Sequence, residues 1–170
     1  MSEEEEKISM KELHERLKKI LEQADPCMVK DRIGAYLHML GLKFEWSDEI
    51  KAFIVPYKIN EHKHIIVIRI AGNWIVMSVG ILPAEEVPPI KKDELYETLL
   101  KANHDYPEFS FDIDAQGNVG YTEDIFVPAL TFDVFSEEFL SIPVAIKYFW
   151  EKIYPTISGK KPIKTDFIYT

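Results

Sequence analysis

The chain has 170 residues, of which 46% are apolar, 12% aromatic and 29% charged, and it carries a formal net charge of −9. That is enough apolar material for one buried core, and it excludes global disorder. The acidic balance argues against nucleic acid and anionic membranes as partners, since both demand clustered Lys and Arg.

Residues 1–8 read as an acidic, solvated tail, because Met1-Ser2-Glu3-Glu4-Glu5-Glu6-Lys7 is the reverse of a signal peptide. The cytoplasm is the expected compartment. Residues 9–157 read as a single α+β domain and 158–170 as a C-terminal tail that is either disordered or docked as a strand. Ser9 and Glu12 have capping-box spacing, and Leu13, Leu17, Ile20 and Leu21 then follow one helical face to about residue 23. A second helix starts at Asp25-Pro26, carries Val29, Ile33, Leu37 and Leu40 on one face, and stops at Gly41. Cys27 is the single cysteine, so no internal disulfide is possible; it reads as a small buried hydrophobe.

After Gly41 the period changes from helical to alternating. A short strand over 43–46 precedes one in which Phe53, Val55, Tyr57 and Ile59 share a face, with Pro56 marking an edge or a bulge. From Ile65 to Leu82 the chain is nearly all apolar and almost long enough to span a bilayer. Arg69 and the break at Ala71-Gly72-Asn73 instead make it two strands and a turn, with Ile66, Ile68 and Ile70 on one face of the first and Ile75, Met77, Val79 and Ile81 on one face of the second. A Pro-rich connector leads to a helix over about 91–104, with Leu95, Leu99 and Leu100 on its apolar side. Phe109, Phe111 and Ile113 then alternate in a hairpin whose return strand covers about 119–127. The last helix is expected over about 136–154, striped by Phe139, Ile142, Ile146, Phe149, Trp150 and Ile153, with Pro143 kinking or restarting it.

Helix, three strands, helix, two strands and helix, preceded by the extra N-terminal helix, resembles the type III secretion chaperone-like fold. The segment Phe109-Ser110-Phe111-Asp112-Ile113-Asp114-Ala115-Gln116-Gly117-Asn118-Val119 and the Tyr-ended helix from Ser136 to Tyr154 resemble the YbjN family, described as candidate sensory-transduction regulators. The resemblance covers about residues 25–156. It implies a protein-binding domain, often dimeric, without catalytic residues to carry over.

Asp112 to Glu123 matches an EF-hand loop at its first, third, sixth and twelfth positions. The flanks alternate as strands do, so Gln116-Gly117-Asn118 is better explained as a hairpin turn, with Asp112, Asp114 and Glu123 remaining as secondary metal candidates. His62 and His64 point the same way on a strand and could share a metal, but no third ligand is nominated; a solvated edge is the plainer reading. His104-Asp105 reads as a helix end. No phosphate loop, nucleophile elbow, His-Glu-x-x-His or CxxC occurs. No cofactor and no enzymatic activity are therefore expected.

The second face of the 65–82 hairpin is also partly apolar, through Ile65, Val67, Trp74 and Val76. Either helices cover both faces of the sheet, or this face awaits another chain. The leading expectation is a non-enzymatic protein-interaction domain that binds a protein partner, or itself as a homodimer, through its sheet and final helix. A small metal- or ligand-binding domain using His62 and His64, or the Asp112/Asp114 turn, is the alternative.

Overall fold

Helical spacing after Pro26 places Val29, Ile33 and Leu37 on one side of α1 (Pro26–Met39), and all three are buried. These elements come from a computed structural model, in which residues 26–160 together with Glu12, Glu15 and Arg16 are described. The acidic tail, most of the expected helix at 9–23, and the tail beyond Lys160 lie outside the described residues. Gly41, at φ +69°, ends α1 in a conformation that costs glycine little. Cys27 corrects an expectation. It is exposed, because it falls off the 29/33/37 face.

Six strands follow the change of period: β1 (Glu45–Ser47), β2 (Ala52–Ile59), β3 (His62–Ala71), β4 (Trp74–Leu82), β5 (Phe111–Ile113) and β6 (Val119–Phe126). They form one antiparallel sheet in the order β1-β2-β3-β4-β6-β5. The short first strand sits slightly later than expected, and it covers β2 only from Ala52 to Ile54. Pro56 therefore lies where β2 is the sheet's outer strand, the position at which a missing N–H is tolerated. The apolar 65–82 stretch is the β3–β4 hairpin, with Gly72 at φ +61° in its turn. Among the described residues no helix is long and apolar enough to cross a membrane.

One face of this sheet is covered. Phe53, Val55, Ile66, Ile68, Ile75, Met77, Val79, Tyr121 and Ile125 bury against α1, α2 (Lys92–Asp105) and α3 (Phe132–Tyr148). Leu95, Leu99 and Ala102 are the buried positions of α2; Leu100, expected on that side, is 70% exposed because it lies a quarter turn away. The final helix starts at Phe132 and not at 136, since Thr131 caps it by accepting a hydrogen bond from the Val134 N–H. It continues through Pro143 without restarting. The irregularity comes later, as a π-helical turn at Phe149–Ile153, followed by α4 (Tyr154–Ser158). Phe135, Phe139 and Phe149 are core, as expected, but Trp150 and Tyr154 are only half-buried.

Candidate functional site

Strand alternation turns Ile65, Val67 and Arg69 of β3, Trp74, Val76 and Ser78 of β4, and Thr122, Asp124 and Phe126 of β6 to the second face of the sheet. No helix of the described residues covers that face. Ile65 is 56% exposed and Trp74 46% exposed, and Val67 and Val76 are half-buried. The register divides the face into two apolar patches. Ile54 and Pro56 sit opposite Val67 and Ile65, beside a groove of about 390 Å³ that Lys43 and Phe44 also line. Trp74 packs on Phe126 with ring centroids 5.2 Å apart, next to Val76. Between the patches lie Arg69 and Ser78, with Thr122 beside Ser78 on β6. Thr122 donates to Asp112 at 2.6 Å, so Asp112 also stands on this face and packs against Gly120, where a Cβ would lie 2.6 Å from its carboxylate oxygen.

A second concavity, of about 840 Å³, lies at one end of the sheet between the start of β3, the β5–β6 turn and the π-helical turn. It gathers the neighbouring His62 and His64 with Asp114, Trp150 and Tyr154, which lie far from them in the sequence. The polar atoms of His64, Trp150 and Asp114 are already hydrogen-bonded. The His62 ring stacks on the Trp150 indole at 3.6 Å, with 2° between planes. The Trp150 Nε1–H donates to His64 Nε2 at 3.2 Å. An indole nitrogen can only donate, so His64 carries its hydrogen on Nδ1 and gives it to the Gly80 carbonyl at 3.2 Å. Burial holds His64 below the usual imidazole range, the Gly80 bond opposing and the neighbouring His62 assisting.

Asp114 is turned into its own hairpin. Its carboxylate accepts from the Gln116 and Asn118 amides, each at 2.9 Å, and from the Asn118 side chain at 2.7 Å, while Gly117 takes φ +89°. These bonds, led by the Asn118 side chain, keep Asp114 below the usual carboxylate range. Glu123 goes elsewhere again, to the covered face beside Tyr121 and Ser141. The three carboxylates of the EF-hand-like string thus point to the open face, the turn and the core. Among the described residues no group of three or more His, Cys, Asp or Glu is arranged to hold a metal.

Sequence reasoning missed Trp150 as a partner of the two histidines, since 86 residues separate it from His64 and nothing local ties them. It also missed Phe126, although parity with Asp124 places it on the open face.

Order, register and the uncovered face are the features to set beside known proteins. The YbjN family model, described as "Putative bacterial sensory transduction regulator", matches residues 30–139, from α1 into α3. The chain belongs to the YbjN family. The crystal structure of YbjN from E. coli is similar with a TM-score of 0.53 at 18% identity, covering 70% of this chain and 89% of that one. A chain of the ExsC–ExsE complex is similar with a TM-score of 0.51 at 12% identity, covering 70% and 88%. A chain of the heterodimeric ExoU–SpcU complex from the type III secretion system of Pseudomonas aeruginosa is similar with a TM-score of 0.50 at 12% identity, covering 74% and 98%. At such identities the likeness concerns the fold, which is the type III secretion chaperone-like α+β fold. No curated protein matches the chain significantly.

Proposed function

We propose that this YbjN-family chain is a non-enzymatic protein-binding domain that receives an extended apolar segment of another protein on the open face of its sheet. The observation that carries the reading is the pair of patches that no helix among the described residues covers, Ile54, Pro56, Ile65 and Val67 on one side and Trp74, Val76 and Phe126 on the other. Exposed apolar patches of this kind support an interaction site in a charged protein. Two chains of like fold were solved within protein complexes, ExsC–ExsE and the heterodimeric ExoU–SpcU, which supports a protein as the occupant. Pro56 blunts the outer strand, so side chains of the face and not edge hydrogen bonds supply the contact. The final helix contributes little, because its aromatic stripe is committed to the core. A cytoplasmic setting, supported by the single cysteine, is part of this reading.

The test compares the wild-type chain with an Ile65→Ser/Trp74→Ser variant in pull-downs from native lysate, with light scattering on the same samples. The expected result is a reproducible protein partner that the folded variant no longer retains. A wild type that is strictly monomeric and retains nothing overturns the reading, and so does a variant that binds as well as the wild type. A concentration-dependent dimer abolished by the same substitutions would replace the partner with a second copy of the chain.

A further inference from the structure

Tyr121 of β6 is fully buried, and its hydroxyl is the centre of a polar cluster beneath α3. Its Oη lies 2.5 Å from the Glu108 carbonyl oxygen and 3.2 Å from Ser141 Oγ, and it also contacts Glu123 Oε1. Ser141 Oγ lies 2.7 Å from the Glu138 carbonyl oxygen and 3.3 Å from Glu123 Oε1. These five contacts have two hydroxyl hydrogens between them. The carbonyls can only accept. Once Tyr121 donates to Glu108 and Ser141 to Glu138, an ionised Glu123 would face both hydroxyl oxygens lone pair to lone pair. A hydrogen on Glu123 supplies one of those two contacts and lowers the repulsion at the cluster.

We propose that Glu123, with the acidic Glu138 as its neighbour, holds a proton up to about neutral pH, so that the junction of β6 with the final helix is a proton-linked latch that loosens as pH rises. The charged groups acting on the pair are themselves acidic: Glu108 before β5, Glu137 on α3 and Asp124 on β6. Tyr121 is the other titratable neighbour. Among the described residues no ion pair joins either carboxyl to a cation. Burial pushes Glu123 from an ordinary 4.5 up to about 7, the Tyr121 and Ser141 bonds opposing and the Glu138 charge assisting. Burial, then Glu108, raises Glu138 as well. The folded chain therefore binds more protons than the unfolded one across this interval. The latch's contribution is complete below about 4.5 and is lost as pH rises through about 7.

Thermal melts of the full chain from about pH 5 to pH 8 test this, with Glu123→Gln beside the wild type. The amide is neutral and can donate, so it stands in for the protonated acid at every pH. His64 is present in both proteins, and its opposing dependence cancels in the difference. The wild-type melting temperature is expected to fall by several degrees relative to the variant across the interval. Equal dependence in the two overturns the proposal. Should the variant fail to fold, the carboxyl-carbon NMR titration of Glu123 in the wild type decides: a midpoint near 7 upholds the latch, and one in the ordinary glutamate range overturns it.

Discussion

The two faces of the sheet are built from the same strands and share one alternation, yet they differ in what they do. The covered face puts Phe53, Ile66, Met77 and Tyr121 against helices, and its neighbours close around each side chain. The open face puts Ile65, Val67, Trp74 and Val76 among Arg69, Ser78 and Asp124 and leaves them in contact with solvent. Apolar character alone does not separate a core from a docking surface. What separates them is whether a helix among the described residues lies over the side chains.

Truncating the covered face should have the largest effect. Phe139→Ala, at a fully buried position that packs near Phe135 and Tyr57, is expected to cost about 3–5 kcal/mol in denaturant unfolding. A loss below about 1 kcal/mol would mean that this face is not the closed core described here.

His64→Leu should cost about 1–3 kcal/mol, because the Trp150 N–H and the Gly80 carbonyl lose a partner. Its pH signature sharpens the contrast with Glu123. His64 is held below its ordinary 6.5, so the stability due to its neutral form is present above about 6.5 and lost as pH falls. Acid-side melts should show that loss in the wild type and not in the variant.

On the open face, Gly120→Ala is expected to cost about 1–2 kcal/mol, since its Cβ would stand 2.6 Å from the Asp112 carboxylate and 3.3 Å from the Val79 carbonyl oxygen. Asp112→Ala in the same chain should restore part of it, a non-additivity that a double-mutant cycle reads directly. The smallest effect belongs to Ile65→Ser, which should change stability by less than about 1 kcal/mol while removing a patch residue. A large loss there would show that the open face is structurally committed after all.

Much of the architecture was legible before folding. The switch from period four to period two after Gly41, the turn at Gly72, and the glycine-containing hairpin at 114–118 all follow from local sterics that act within a few residues. The misjudged positions share another cause. Leu100 and Cys27 are apolar enough for a core but lie off the buried stripe, and the start of α3 was set by the Thr131 cap and not by its aromatic spacing. Glu123 carried a signal of its own. Counting by twos from Val119 through Tyr121 to Ile125 puts an acid on the apolar phase of β6.

By itself the sequence determined the elements, their order and the parity of each strand, because backbone sterics and side-chain alternation are short-range. Only the tertiary structure decided which parity would be covered. It also decided that Trp150 would meet His62 and His64, and that the carboxylates of the Asp112–Glu123 string would part company, since those outcomes depend on where distant helices come to rest on the sheet.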